Sequence, residues 1–163
     1  MTTHRAQEYL RTKVMTASPA ELRLLLLDGA IRFGEQAREG LEQKNPEQAY
    51  DGSRQCRAIL TELTSGLRSE LAPELCERLS SLYLFLYKSL VEAMSDRDPE
   101  GVRKVIEILT YERETWRLTM EKLVEENAAT STTGEPSGPQ AGETGASAEG
   151  GGDSIGGRIH LAG

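Results

Sequence analysis

Ser18-Pro19-Ala20-Glu21 opens a segment whose pattern returns at Asn45-Pro46-Glu47-Gln48, and as bare X-Pro steps at Ala72-Pro73 and Asp98-Pro99. Proline suits the first position of a helix, where its missing N–H would have had no partner. Ser18, Asn45 and Asp98 carry side-chain oxygens that accept from orphaned amides of a first turn, so each reads as an N-cap. Glu21 and Gln48 stand three residues after the first two caps and complete capping boxes. Ala72 has no such oxygen, which leaves the third start without a side-chain cap. The prolines fall at 19, 46, 73 and 99, spacings of 27, 27 and 26 residues. Four helices of near-equal length follow, each about 35 Å long at roughly 1.5 Å per residue.

Hydrophobic periodicity divides the chain in the same places. In the second of these helices Ala49, Ser53, Cys56, Leu60, Leu63 and Leu67 share one face. In the third, Leu75, Leu79, Leu82, Leu86, Leu90 and Ala93 do so; in the fourth, Val102, Val105, Ile106, Leu109, Trp116, Met120 and Leu123. Short connections between equal helices require antiparallel neighbours, which predicts an all-α, antiparallel up-down four-helix bundle. The organisation expected is an N-terminal arm over 1–17 and a bundle over 18–127, with helices at about 19–43, 46–70, 73–95 and 99–126. Residues 128–163 turn to Gly, Ala, Ser and Thr without an apolar period, and read as a disordered tail. Ile155 to Leu161 regain a few apolar side chains around Arg158 and His160, a weak docking peptide or a featureless end.

Composition narrows the function. The 163 residues suffice for one ordinary domain, and 19 Lys and Arg against 26 Asp and Glu leave a net charge of −7. An acidic surface repels phosphate backbones, so no nucleic-acid partner is expected. The longest apolar run, Leu24 to Leu27, is far below the roughly 20 residues of a membrane span, and no secretory signal opens the chain. A cytoplasmic protein without direct membrane insertion is expected. Cys56 and Cys76 lack C-x-x-C spacing and read as small buried hydrophobes. The histidines, His4 and His160, lie outside the four helices, so neither acid–base catalysis, a di-iron Glu-x-x-His site nor a phosphotransfer histidine can be assembled there. Gly29, Gly34 and Gly40 are scattered in a helix and form no phosphate loop. A non-enzyme without cofactor or metal is expected.

Surplus apolar surface is the informative feature. At 100° per residue Leu22, Leu25, Leu26, Gly29, Phe33 and Ala37 make a core stripe on the first bundle helix, and Leu24, Leu27 and Ile31 a second face. On the third, Cys76, Tyr83, Tyr87 and Met94 flank the Leu stripe, with Leu84 and Val91 beyond. Such faces are covered by tighter enclosure, by the chain's own N-terminal arm, by a homodimer, or by an amphipathic guest helix lying in a groove. Arg113 falls between Leu109 and Trp116 on the core stripe, where a guanidinium needs a carboxylate or carbonyl partner.

Several blocks then resemble the FliS family of flagellar secretion chaperones. They are Tyr9-Leu10, Val14-Met15-Thr16-Ala17-Ser18-Pro19-Ala20-Glu21-Leu22, Leu26-Leu27-Asp28-Gly29-Ala30 with Phe33, Leu82-Tyr83-Leu84-Phe85-Leu86-Tyr87 with Leu90 and Ala93, and Leu109 with Glu112-Arg113 and Trp116. The likeness spans roughly residues 7–124. It departs at Leu27, where the family has Tyr, at Ala93-Met94, where it has Ala-Asn, and in the long Gly-rich tail. The resemblance implies a chaperone that binds the C-terminal segment of flagellin, prevents premature polymerisation and delivers it to the flagellar export gate. It also implies an N-terminal arm able to occupy part of the empty groove. The surface expected to meet the partner comprises Tyr9, Leu10, Val14, Ser18, Pro19, Leu24, Leu27, Ile31, Ile59, Leu63, Tyr83 and Tyr87. The alternative function is a structural adaptor or homodimerisation module that binds no flagellin.

Overall fold

All four X-Pro steps start a helix. A computed structural model of the chain describes residues 2–132, and contains α1 (Thr2–Thr16), α2 (Pro19–Glu42), α3 (Pro46–Ser65), α4 (Pro73–Ser95) and α5 (Pro99–Thr132). Among the described residues there is no strand. Ser18 Oγ accepts from the Glu21 amide at 3.2 Å while Glu21 Oε2 accepts from the Ser18 amide at 2.9 Å, a closed capping box. Asn45 Oδ1 accepts from the Gln48 amide at 3.2 Å, but the Gln48 side chain donates to the Gln36 carbonyl instead of closing a box. Asp98 Oδ1 accepts from the Glu100 amide, and Ala72 makes no side-chain cap.

The links after α2 and α4 are built alike. Lys44 and Arg97 adopt left-handed φ values of 56° and 53°. The amides that follow them, Asn45 and Asp98, donate to the Gly40 and Ala93 carbonyls at 2.7 and 2.8 Å. Lys44 and Arg97 themselves donate to Leu41 and Met94. These are Schellman closures, and each leads straight into the cap and proline of the next helix.

The N-terminal arm is a helix over most of its length, α1. Two expectations about extent need correction. α3 ends at Ser65 and not near 70, because Gly66 caps it and turns at Leu67 and Leu71 carry the chain to Pro73. α5 runs past 127 to Thr132, and in its last turn hydroxyls donate back to carbonyls: Thr130 to Glu126, Ser131 to Asn127, Thr132 to Ala128. The tail reading therefore fails for 128–132 and otherwise falls on residues 133–163, outside those described.

α2 packs on α3 and α5, and α4 packs on the same two, so the four helices close a ring. Gly29 faces Ile59, Gly34 faces Cys56, and Gly40 faces Ala49, so α3 descends as α2 rises. Asp28 pairs with Arg113 and Gly34 meets Ile106, the same sense for α5 against α2. Leu27, Ala30, Ala37, Cys56, Leu60, Leu63, Tyr83, Leu86, Leu90, Ala93, Val102, Val105, Ile106 and Leu109 form the buried core.

α2 is rotated from its expected setting. Leu27, Ala30, Gly34, Ala37 and Gly40 are sealed, while Leu22, Leu25, Leu26, Gly29 and Phe33 are half-buried. The inward stripe is thus displaced by about 70°, with Ala37 common to both settings. The cause is the small residues. A Cβ on Gly40 would lie 2.4 Å from the Ala49 backbone nitrogen, and one on Gly52 would lie 2.6 Å from that of Ala37. Backbones of α2 and α3 approach too closely for larger side chains, so the glycine-alanine edge must turn inward. Leu27 is consequently core and not a second face. Leu75, expected in the α4 stripe, is exposed where α4 begins, and Leu123 is exposed where α5 outruns its neighbours.

Three Glu-x-x-Arg-x-x-x-Glu clamps run along the outside: Glu35-Arg38-Glu42, Glu100-Arg103-Glu107 and Glu114-Arg117-Glu121. Their arginines hold Glu100 and Glu114 below the usual carboxylate range. Exposed pairs of this kind are screened by solvent and contribute little to stability.

Candidate functional site: apolar surface at one end of the bundle

Arg23 organises the end of the bundle where α2 begins. Its guanidinium donates to the Tyr83 hydroxyl, which in turn donates to Glu112 Oε1 at 2.8 Å, and Arg23 and Glu112 lie 3.8 Å apart. Arg23 also sits 5.5 Å from the centre of the Tyr83 ring and 5.2 Å from that of Trp116. The Trp116 indole N–H donates to the Ala20 carbonyl at 3.0 Å, in the first turn of α2. Burial pushes the Tyr83 phenol well above its ordinary range, with Arg23 opposing and Glu112 reinforcing the rise. The hydroxyl therefore stays protonated and bridges cation to anion, which is how a charge pair is accommodated between packed helices.

Beside this network lies an apolar recess to which α2, the end of α3, the start of α4 and α5 all contribute. Pro19, Leu22, Leu26, Leu67, Leu75 and Leu79 line it, and Arg23 and Trp116 back it. Above the α2–α5 seam a second recess brings Leu24 to Met120 and Val124. A third joins Leu24 and Leu25 to Lys13, Thr16 and Ala17 at the end of α1. The apolar side chains of α1 are open: Tyr9 is 66 %, Leu10 43 %, Val14 46 % and Met15 79 % exposed.

The expected partner surface is thus divided. Tyr9, Leu10 and Val14 are accessible on α1, and Leu24 and Ile31 are half-buried on α2. Ser18 and Pro19 serve as N-cap and first helical residue, with Pro19 also lining the large recess. Ile59 and Tyr87 are half-buried against the core, Tyr87 beneath the Arg57 guanidinium at 5.8 Å. Leu27, Leu63 and Tyr83 are sealed at 0, 1 and 1 % exposure, though Leu63 still reaches the lining of the large recess. Leu27 is sealed by the rotation of α2, Leu63 by the α3 stripe it belongs to, and Tyr83 by the Arg23–Glu112 pair it bridges. On α4, Leu84 and Val91 are exposed, and so is Phe85 at 56 %. Arg113 has the carboxylate partner its position called for, Asp28, though both remain partly exposed at the seam.

Cys56 and Cys76 are free and buried, and burial pushes the Cys56 thiol up to about 12. Among the described residues no three His, Cys, Asp or Glu side chains converge as metal ligands, and no helix is long and apolar enough to cross a membrane.

Comparison with known proteins agrees with these features. The family model described as flagellar protein FliS matches residues 1–123. A flagellar secretion chaperone FliS of Bacillus subtilis is 28 % identical over 109 residues, covering 67 % of this chain and 80 % of that protein. Its namesake from Salmonella typhimurium is 31 % identical over 113 residues, 69 % of this chain and 84 % of that protein. The matched span takes in α1 to α4 and α5 as far as Leu123, and so the chain belongs to the FliS family.

Proposed function

We propose that this protein is a cytosolic flagellar secretion chaperone, built on an antiparallel up-down four-helix bundle, that holds the C-terminal segment of a flagellin and hands it to the flagellar export gate. The observation that carries the reading is the row Tyr9, Leu10, Val14 and Met15, exposed on α1 at the end of the bundle where the apolar recesses open. A fifteen-residue helix with its apolar side chains in water is near the limit of what persists alone. A guest helix bedded between α1 and the recess lined by Leu22, Leu26, Leu67 and Leu79 would cover both. The names of the relatives from Bacillus subtilis and Salmonella typhimurium support the chaperone role.

The action is masking. Segments that assemble a filament expose apolar stripes, and burying such a stripe against α1 and the recess removes it from self-association. Release needs only a competing binder.

The test is capture of a flagellin C-terminal fragment by the full chain, against the Leu10→Asp/Val14→Asp variant. The parent is expected to bind at micromolar concentration and the variant to lose binding at least tenfold with its helix content retained. Absence of binding by the parent refutes the reading. A dimer in sedimentation equilibrium that no added fragment dissociates would instead favour a homodimerisation module.

A further inference from the structure

The cleft between α4 and α5 at the opposite end of the bundle carries a different signature. Phe85 and Ile108 form its apolar floor with Ala93 and Val105 beneath, and Gly101 lets the helices close below it. A Cβ on Gly101 would meet that of Ala93 at 2.8 Å. The rim is acidic: Glu92, Asp96, Asp98 and Glu107 stand against the single cation Lys104. Glu107 is shared with Arg103 and Asp98 caps α5, while Glu92 and Asp96 make no ion pair among the described residues.

We propose that Ile155–Leu161 of this same chain docks in the α4–α5 cleft. Beyond Thr132 the sequence carries three large aliphatic residues, Ile155, Ile159 and Leu161, and one Lys or Arg, Arg158, all within these seven positions. Laid out as an extended strand, Ile155, Ile159 and Leu161 fall on one side and Arg158 and His160 on the other. The apolar side matches the Phe85–Ile108 floor, and the basic side matches Glu92 and Asp96. Seven extended residues span about 20 Å. The floor and rim from Phe85 to Asp96 extend about 16 Å along the α4 axis. Reach is sufficient: from Thr132 back to Ile108 is about 36 Å along α5. The twenty-two intervening residues, 133–154, can span about 70 Å when extended. Tethering places the segment at an effective concentration in the millimolar range, so a weak individual contact is enough. The inference does not depend on the guest-binding reading, which uses the other end of the bundle.

The experiment compares amide spectra of the full chain with those of Ile155→Ser/Ile159→Ser and of Arg158→Glu, substitutions far from the core. Amides of Phe85, Ser89, Glu92, Val105 and Ile108 are expected to shift in both variants, toward their positions in a chain ending at Thr132. The shifts should be independent of protein concentration. Unchanged cleft amides overturn the proposal, as do shifts confined to another face. Shifts that appear only as concentration rises also overturn it, since the cleft would then hold a second copy.

Discussion

The Tyr83 hydroxyl donates to Glu112 Oε1 at 2.8 Å across the α4–α5 seam while accepting from Arg23 of α2, so one phenol ties three helices together. Removing that oxygen leaves Arg23 and Glu112 3.8 Å apart with no bridge. Tyr83→Phe is expected to cost about 1–2 kcal/mol in urea denaturation, the range for a lost hydrogen bond to charged groups. Because the network is internal, the variant should retain guest capture. A loss of capture without a loss of stability would place Tyr83 in the binding surface after all.

The charge test for the faces is sharpened by the rotation of α2. Leu27→Asp buries an uncompensated carboxylate at a fully sealed position and should unfold the chain, a cost of several kcal/mol, about 3–5. Met15→Asp, at a 79 % exposed position, should leave thermal stability within about 0.5 kcal/mol of the parent. Circular dichroism melts distinguish the two. Equal losses would mean that α1 is packed on the bundle in solution.

Helix starts were legible because their causes are local: a cap, a proline, a Glu three residues on. Ser18 and Glu21 need no tertiary neighbour to form their box. The rotation of α2 was not legible, because it depends on how near α3 comes, and that depends on Gly40 meeting Ala49 and Gly52 meeting Ala37 across the seam. Leucine-weighted periodicity ignores glycine, although Gly34, Ala37 and Gly40 formed a visible small-residue edge. The error carried into the site: Leu27 read as groove because Leu26 read as core. Arg113 was the reverse case, a charge whose position demanded a carboxylate, and Asp28 of α2 supplies it.

Stability should fall at high pH through Cys56. Its thiol in the folded chain is pushed up to about 12 by burial, while the unfolded thiol ionises near its ordinary value of 9.0. A raised acid favours the folded state fully below the unfolded value, and that contribution is lost as pH rises from about 9 towards 12. The expected slope is about 1.4 kcal/mol per pH unit. Tyr83, also raised, adds to the loss once unfolded phenols ionise near 10. Cys56→Ala should flatten the slope between pH 9 and 10, where Tyr83 contributes less than the thiol. An unchanged slope would show that the thiol is accessible in the folded state.

Lys44 and Arg97 hold left-handed backbone without being glycine, at φ 56° and 53°. That conformation costs a side-chain-bearing residue roughly 1–2 kcal/mol, part of which glycine returns through its greater freedom when unfolded. Lys44→Gly and Arg97→Gly should each raise stability by up to about 1 kcal/mol, and the double variant by nearly their sum. Both residues line one recess with Leu41 and Met94, so a shortfall in the sum measures their coupling.

Two glycines of α2 predict opposite outcomes for the same substitution. At Gly29 an added Cβ meets only the Ile59 Cδ1 methyl, at 3.1 Å, the far end of a side chain that can turn away. Alanine there also gains about 1 kcal/mol of helix propensity, so Gly29→Ala should be neutral or stabilising. At Gly40 the same methyl lies 2.4 Å from the Ala49 nitrogen and 2.7 Å from its Cα, and backbone cannot rotate aside. Relief requires α2 and α3 to separate along the seam where Ala37, Gly52 and Cys56 are packed, which opens the core over several turns. Gly40→Ala is therefore expected to lose about 3 kcal/mol or more despite its better propensity. Paired denaturation of the two variants isolates helix approach from helix propensity, because propensity acts equally in both. Equal stabilities would mean that the helices are farther apart than the Gly40–Ala49 contact requires, and the inward setting of Leu27 would lose its cause.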